Sequence, residues 1–333
     1  MYNDALKFSL WCDFVERSFL EGEFGTLLEN KIVNAATSNP SIFKAAFLSS
    51  PAYVKQKQNL QGKGAKEIYE TLAMHDIALA AQKLLPLYEK GDDGFISIEV
   101  DPFLCDDAEG TIEEGRRLFH AIGYPNVMIK IPATPAGFRA MEVLLSEGIP
   151  INATLVFSLH QILECLNAFQ KANLFLQDTK PEATLPKAVI SIFVSRFDRK
   201  LDDALQKIDF VTSRVGIMNA LRCYEAIERC SLPNVRALFA STGVKGDVLK
   251  PDYYITELLV ANSINTAPLE TIKAFMHSNK ACQAKTVSSQ SIENFFNALE
   301  ANGISMQVVC DELMQEGLKS FKEAFLEILN ALE

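Results

Sequence analysis

The sequence predicts an α/β protein, a single (β/α)₈ barrel with extra helices, on three observations. Eight short segments rich in β-branched and aromatic residues recur along its 333 residues. Most intervals between them carry apolar residues at the three-to-four spacing of helices, and this alternation indicates parallel strands. Polar residues stand at the carboxyl ends of several segments, where such barrels build their sites. A doubly wound open sheet shows the same alternation, but eight near-regular units favour the closed barrel.

The predicted elements follow one another without a linker or a low-complexity stretch, so we expect residues 1–333 to form one domain. Helical patterns follow the fourth, fifth and sixth strands: AMEVLLSEG, HQILECLNAFQKANLFL and LDDALQKI. Residues 41–94 are predicted to hold more than one additional helix. Residues 285–333 are also predicted to be helical, with an amphipathic end that lies over or beside the barrel mouth. The predicted strands are 9–15, 32–37, 95–100, 127–132, 151–157, 188–195, 235–241 and 257–264.

Composition and charge exclude several classes of partner. Apolar residues make up 48% of the chain and charged residues 22%, which is typical of a globular protein with a sizeable core. The net charge of −10 opposes binding to nucleic acid or to an anionic membrane, whereas a small anionic substrate needs only a local basic pocket. No window approaches the roughly 18 to 20 apolar residues of a membrane span, and the first residues lack a signal pattern. These features predict a cytoplasmic protein.

Neither the cysteines nor the histidines are spaced for a metal site. The seven cysteines form no C-x-x-C pair and are odd in number, which favours free thiols in a reducing compartment. The four histidines are far apart and show no H-x-x-H spacing, so we expect no metal. The cysteines are Cys12, Cys105, Cys165, Cys223, Cys230, Cys282 and Cys310.

The fourth predicted strand, VMIKIP, carries a lysine among apolar residues. Side chains alternate along a strand, so Ile129 and Ile131 share one face while Met128 and Lys130 share the other. The apolar face is expected to meet the outer helices, which directs Lys130 into the barrel. Burial favours the neutral amine, the form that attacks a carbonyl. The alternative is a lysine that extends along the surface of an edge strand.

Neighbouring strands supply further polar side chains with inward parity. They are Glu99 on the third strand, Asp13 on the first, and Asn152 and Thr154 on the fifth. Barrel interiors favour aliphatic residues, and a buried charge is unfavourable unless it is paired or hydrogen-bonded. This convergence around Lys130 therefore indicates a functional site. A structural ion pair between Lys130 and one acid would also satisfy the burial rule.

Six motifs, in order across most of the chain, resemble those of the transaldolase family, in the branch that carries S-T-G-V-K. Each is weak alone, but their succession at strand ends is specific. The motifs are TSNPS (37–41), IEVDP (98–102), MIKI (128–131), NATL (152–155), SIFVSR (191–196) and ASTGVK (240–245).

The resemblance implies a catalytic role for four residues and no dissociable cofactor. Lys130 would form an imine with the carbonyl of a ketose, and the protonated imine would accept the electrons of the broken C–C bond. Asp13 would serve as acid and base at the hydroxyl of that bond. Glu99 would relay protons through a bound water held with help from Thr154.

The resemblance also implies a set of residues that bind the substrate. Asn39, Asn152 and Ser191 would hold its hydroxyls. Phe193 would line the pocket and influence whether the bound intermediate waits for an acceptor or is released by water.

The phosphate end is where this sequence departs from the family pattern best known to us. There a serine is followed two residues later by an arginine, whereas here Ser241 precedes Thr242 and Gly243, and Lys245 lies four positions on. We assign the phosphate to Arg196, Ser241 and Lys245, since a glycine-containing turn after a barrel strand offers backbone N–H groups. A solvated loop lysine is the alternative for Lys245.

The resemblance implies a pentose phosphate pathway enzyme acting on sugar phosphates. It would move a dihydroxyacetone unit from sedoheptulose 7-phosphate to glyceraldehyde 3-phosphate and give erythrose 4-phosphate and fructose 6-phosphate. Two alternatives stay open: a Schiff-base lyase of the fructose 6-phosphate aldolase type, and a barrel that binds sugar phosphates without chemistry. A monomer and a homodimer are both compatible with the sequence.

Overall fold

The barrel is closed and its eight strands are parallel, each pairing with the next along the chain and the last pairing back to the first. A computed structural model of the chain describes residues 4–278 and 287–333. The predicted (β/α)₈ class is thereby confirmed. The strands are β1 Ser9–Cys12, β2 Ala35–Ala36, β3 Ile96–Glu99, β4 Val127–Pro132, β5 Ile151–Val156, β6 Ala188–Phe193, β7 Val235–Ala240 and β8 Ile264–Ala267.

Helices surround the barrel and also precede and follow it. Short 3₁₀ turns span Asp4–Leu6, Pro51–Tyr53 and Pro102–Leu104. The α-helices within the described ranges are α1 Arg17–Glu21, α2 Glu23–Glu29, α3 Pro40–Ser49, α4 Val54–Asn59, α5 Ala65–Glu89, α6 Ala108–Ile122, α7 Pro135–Ser146, α8 Leu159–Thr179, α9 Ser195–Lys207, α10 Val215–Cys230, α11 Tyr253–Glu257, α12 Leu269–His277, α13 Ser289–Ala301 and α14 Met306–Leu332.

The eighth strand lies later in the chain than the sequence pattern predicts. The predicted strand at 257–264 begins at the last residue of α11 and continues into a loop, and β8 starts only at Ile264. Leu258, Leu259 and Val260 do not form a strand, and their apolar character reflects burial of the loop. A short apolar run does not by itself distinguish a buried loop from a strand.

Packing of β4 against the outer helices confirms the predicted side-chain parity. Gly115 of α6 lies against the Ile129 side chain, so the face of β4 that carries Ile129 points outward. Lys130 on the opposite face therefore points into the barrel, where it is 5% exposed. Its backbone neighbours in the sheet are Glu99 of β3 and Asn152 of β5.

A bulge interrupts β5 next to these residues. The register with β6 shifts between Ala153 and Val156, and Leu155 has a φ of 54°, in the left-handed region. Bulges redirect side chains beside active sites. Here the Leu155 side chain approaches Gly317 of α14, so the bulge connects the strand to the C-terminal helix.

Helix α14 covers the carboxyl end of the barrel, as predicted for the C-terminal helices. The Cys310 thiol donates to the Phe157 carbonyl at 3.3 Å. The Phe321 ring centroid lies 5.9 Å from Lys130 Nζ. Salt bridges from Lys200 of α9 to Glu312 and Glu316 hold the helix at its outer side. Side chains of α14 thus cover the mouth of the barrel.

Two further findings concern membrane-spanning helices and the cysteines. Among the described helices, none combines the length and apolarity needed to cross a membrane. The six described cysteines are free, and only Cys230 among them is exposed. Cys282 lies outside the described residues.

Replacing Gly137 by alanine is expected to destabilise the protein. A Cβ at this position of α7 would lie 2.0 Å from the Pro132 carbonyl oxygen at the end of β4. Relief requires a backbone shift, so urea denaturation should show a loss of about 2–3 kcal/mol in the free energy of unfolding. Gly64→Ala is the matched control, because its added Cβ would meet no atom within 4 Å and its φ of −66° suits alanine. Equal stability of the two variants would contradict this packing.

Candidate active site

Lys130 is buried at the carboxyl end of β4 between a carbonyl and a carboxylate. Its Nζ donates to the Ser38 carbonyl at 2.9 Å and lies 3.5 Å from Glu99 Oε2. The Ser38 hydroxyl in turn donates to the Ser97 carbonyl at 2.7 Å, which anchors this loop to β3. The amine is therefore held in one position, with the Phe321 ring on another side.

Glu99 is a buried carboxylate that the protein leaves largely unsatisfied. It is 6% exposed, and within the described residues neither of its oxygens has a hydrogen-bond partner. Burial raises its pKa from 4.5 to about 7, while the attraction of Lys130 opposes this shift and the charge of Asp13 adds to it. A carboxyl group that titrates near neutrality can both donate and accept a proton at physiological pH.

Thr154 presents a second unsatisfied polar atom on the neighbouring strand. Its hydroxyl is buried and has no hydrogen-bond partner in the described part of the chain. It lies beside Pro132 in the register of β5 with β4, two residues beyond the Asn152 that pairs with Lys130. Buried polar atoms are rarely unpaired. Glu99 and Thr154 together therefore indicate a place for a water or a substrate hydroxyl.

Asp13 follows β1 and faces the same interior. The Thr37 hydroxyl donates to its Oδ1 at 2.6 Å. Burial raises the pKa of Asp13 above its usual value, and the Lys130 charge and the Thr37 hydrogen bond limit that rise. Asp13 is partly exposed, whereas Glu99 is almost fully buried.

Asn152 lies at the centre of a hydrogen-bonded row that crosses three strands. Its Nδ2 donates to the Ser97 hydroxyl at 3.0 Å, and its Oδ1 accepts from the Ser191 hydroxyl at 2.7 Å. All three residues are almost fully buried. These two hydrogen bonds fix the orientation of the Asn152 amide and leave the second hydrogen of its Nδ2 available to a ligand.

Asn39 caps helix α3 beside the lysine. Its Oδ1 accepts from the Ile42 backbone N–H at 3.0 Å, which leaves the Nδ2 donors for a ligand. It directly follows Ser38, whose carbonyl binds Lys130. The TSNPS motif thus contributes to both the catalytic amine and the helix start.

Cationic and hydroxyl groups gather where β6 and β7 end. The Arg196 guanidinium stacks over the Phe193 ring at 5.2 Å and has no ion-pair partner among the described residues. Burial lowers its pKa, and the nearby charge of Arg199 adds to that shift. The Ser241 hydroxyl lies 3.2 Å from that of Ser195, the first residue of α9. An anion bound here would relieve the repulsion between the two arginines and would meet a helix amino terminus.

Lys245, the third residue assigned to the phosphate, makes no contact with this group in the described structure. It is exposed on the loop after β7, and no hydrogen bond or ion pair links it to another described residue. The nearer second cation is Arg199, which the sequence interpretation did not select. Its signal was present, since it lies three residues after Arg196, a spacing that brings two side chains to one face of a helix.

Sequence reasoning also missed four residues that support the site. Ser97 lies two residues before Glu99 and so shares its inward parity, but it was assigned no role. Thr37 is the first residue of the TSNPS motif. Thr266 was missed because β8 was placed too early. Phe321 gave no signal, since nothing in a sequence links a C-terminal helix to a strand some 190 positions before it.

The opposite end of the barrel also holds a cavity, where Asp93 and Arg236 are engaged with each other. Trp11 Nε1 donates to Asp93 Oδ2 at 2.9 Å, and Arg236 pairs with Asp93 Oδ1 at 2.8 Å. Arg236 further donates to the Ser263 carbonyl at 2.9 Å. Across residues 4–278 and 287–333, no three His, Cys, Asp or Glu side chains are grouped to hold a metal ion.

The chain is similar in sequence to one protein family along nearly its whole length. The family model described as Transaldolase/Fructose-6-phosphate aldolase matches residues 10–332. A transaldolase of Campylobacter jejuni subsp. doylei is 48% identical, over 98% of this chain and 99% of its own. A transaldolase of Helicobacter pylori strain HPAG1 is 44% identical, with the same two coverages. The resemblance drawn from the six motifs is confirmed at the level of the family.

We expect Glu99 to titrate near neutrality. Infrared spectroscopy should show a protonated carboxyl band that disappears with a midpoint at about pH 7, because burial disfavours the carboxylate. Lys130→Met should move the midpoint higher, since the attraction that favours the charged form is lost. Glu99→Gln identifies the band by its absence. A midpoint near 4.5 in the unsubstituted protein would contradict the burial argument.

Proposed function

This chain belongs to the transaldolase/fructose-6-phosphate aldolase family and is a transferase of the transaldolase type, and we propose that Lys130 is the amine through which it transfers a dihydroxyacetone unit. The donor is sedoheptulose 7-phosphate or fructose 6-phosphate. The acceptor is an aldose phosphate, glyceraldehyde 3-phosphate or erythrose 4-phosphate. We also place the protein in the cytoplasm, which the free thiols of its described residues support.

The reaction begins when the Lys130 amine adds to the C2 carbonyl of the ketose. The carbinolamine then loses its hydroxyl as water, and the proton for this step comes from Glu99. A carboxyl group with a pKa of about 7 is suited to give and recover that proton at neutral pH. The unpaired Thr154 hydroxyl supports a role in holding the water that carries it.

Cleavage follows from the protonated imine. Asp13 removes the proton of the C4 hydroxyl, the C3–C4 bond breaks, and C4 leaves as the aldehyde of the released aldose phosphate. The bonding electrons pass through C2 to the imine nitrogen and leave an enamine on Lys130. When the acceptor binds, C3 attacks its aldehyde and Asp13 returns the proton to the new hydroxyl. Water then releases the product and restores the amine.

We assign a second role to the apolar side chains that cover the site. They exclude water until the acceptor binds. Phe193 and Phe321 approach it from β6 and α14, and both are buried. Asn39, Asn152 and Ser191 are assigned to the hydroxyls of the three-carbon unit. The row from Ser97 to Ser191 supports that role because it orients the Asn152 amide.

The phosphate is assigned to Arg196 and Ser241, with the exposed Lys245 as a third contact. Arg196 is the second residue of α9, stacks on the Phe193 ring and forms no salt bridge with another described residue, although the charge of Glu316 acts on it. Guanidinium groups suit phosphate because they bind two of its oxygens at once.

One observation carries the proposal: Lys130 Nζ lies 3.5 Å from a Glu99 carboxylate that has no hydrogen-bond partner in the described structure. A structural buried ion pair requires good geometry and additional hydrogen bonds to offset desolvation. Glu99 has neither, so stability does not explain the pair. An acid held near an amine and left free to exchange its proton is what imine formation needs.

Incubation with fructose 6-phosphate and borohydride should attach a three-carbon or six-carbon adduct to Lys130, located by peptide mass spectrometry. Reduction of the imine makes the bond permanent. Lys130→Arg keeps the positive charge but should give no adduct and should lose more than about 10³-fold in kcat, because the guanidinium stays protonated. Labelling of another lysine, or retained turnover in the arginine variant, would overturn the assignment.

Release of free dihydroxyacetone from fructose 6-phosphate should be slow without an acceptor and should be replaced by transfer when erythrose 4-phosphate is added. The physical reason is that the covered enamine is protonated by water less readily than it adds to a bound aldehyde. An enzymatic assay for dihydroxyacetone measures this directly. Equal rates with and without the acceptor would favour the lyase.

A further inference from the structure

Three side chains from three adjacent strands form a chain of hydrogen bonds that ends on Asp13. The Thr37 hydroxyl donates to Asp13 Oδ1 at 2.6 Å, and the same Thr37 oxygen lies 2.7 Å from the Thr266 hydroxyl. Thr266 belongs to β8, Asp13 follows β1 and Thr37 follows β2. Because β8, β1 and β2 are neighbours in the barrel, the closure of the sheet itself brings the three together.

Counting hydrogens fixes the direction of this chain. An ionised aspartate only accepts, and a threonine hydroxyl has one hydrogen to donate. When Thr37 gives its hydrogen to Asp13, the hydrogen between the two threonines must come from Thr266. We infer that Thr266 is a positioning residue that orients the Thr37 hydroxyl toward Asp13 and so favours the carboxylate. The inference rests on the acid and base role proposed for Asp13.

Nothing else in the described structure competes for the Thr266 hydroxyl. Thr266 is 4% exposed, and its side chain has no other hydrogen-bond partner there. Its backbone carbonyl accepts from the Thr242 hydroxyl at 2.8 Å, which fixes the strand at this residue. The side chain is thus held in place while its single hydrogen is committed to Thr37.

The chain matters because Asp13 stands among groups that pull its ionisation in opposite directions. Lys130 of β4 favours the carboxylate, whereas burial opposes it. Glu99 of β3 faces the same interior, and the charge of Asp13 raises the pKa of Glu99. The Cys12 thiol adjoins it on β1. A hydrogen bond to the charged form lowers a carboxyl pKa, and an incoming bond strengthens the donor by about 10–30%. Loss of the Thr266 hydroxyl therefore raises the pKa of Asp13.

A Thr266→Val variant tests the inference, because valine preserves the shape and removes only the hydroxyl. For cleavage of fructose 6-phosphate, where Asp13 acts as the base, the acidic limb of kcat/KM should move upward by about half a pH unit. At pH values below that limb, kcat/KM of Thr266→Val should be about threefold lower than that of the unsubstituted protein. The difference should vanish at high pH. Thr266→Ser keeps the hydroxyl, so its pH profile of kcat/KM should match that of the unsubstituted protein.

A second arm separates the hydrogen-bond chain from a general packing effect. In a Thr37→Val background the chain is already broken, so adding Thr266→Val should not shift the limb again. An unchanged limb in Thr266→Val, an equal shift in the serine variant, or an additive shift in the double variant would each overturn the inference. Should valine prevent folding, Thr266→Ala and Thr266→Ser make the same comparison, since they differ by one hydroxyl.

Borohydride trapping with fructose 6-phosphate keeps this test distinct from the proposed function. Thr266→Val should still form the adduct on Lys130, because imine formation depends on Glu99 and not on Asp13. A missing adduct in the unsubstituted protein would count against the proposed function itself. An adduct with an unmoved pH profile would count only against Thr266.

Discussion

The burial of Lys130 beside Glu99 is the constraint on which the rest of the site depends. Two opposite charges lie 3.5 Å apart in the interior of a barrel, and the carboxylate has no other partner in the described structure. Such a pair is costly to desolvate and contributes little net stability. The barrel tolerates it because the surrounding strands and the large apolar core are held by many other contacts. The consequence is a carboxyl group whose pKa of about 7 suits proton transfer.

Around this pair the fold arranges three kinds of support. The loop after β2 supplies a carbonyl to Lys130, a hydroxyl to Asp13 and the cap of α3 within the three residues Thr37, Ser38 and Asn39. The row across Asn152 orients its amide between two serines. Helix α14 covers the mouth and brings Phe321 over the amine. Reactive groups are thus placed by strand ends, while separate elements control orientation and access.

Strand alternation, inward parity and ordered motifs were sufficient to predict the barrel and the inward position of Lys130 and Glu99, because each depends on local spacing. The eighth strand was misplaced since the buried residues Leu258 to Val260 resemble a strand in composition. Thr266 was therefore also missed, because it lies on the eighth strand. Lys245 was selected from a loop motif and stays a prediction, since it is exposed, whereas the charge of Arg199, which was not selected, acts on Arg196. A loop conformation is set by contacts distant in sequence, which a motif does not contain.

By itself, the sequence determined the class of fold, the family and the chemical identity of the inward-facing groups, because strand periodicity of two assigns each residue to a face. Only the tertiary structure decided which of those groups touch. Closure of β8 onto β1 brings Thr266 to Thr37, and the path of α14 brings Phe321 to Lys130. Both contacts join residues far apart in the chain, and their geometry follows from packing of the whole chain. No local pattern encodes it.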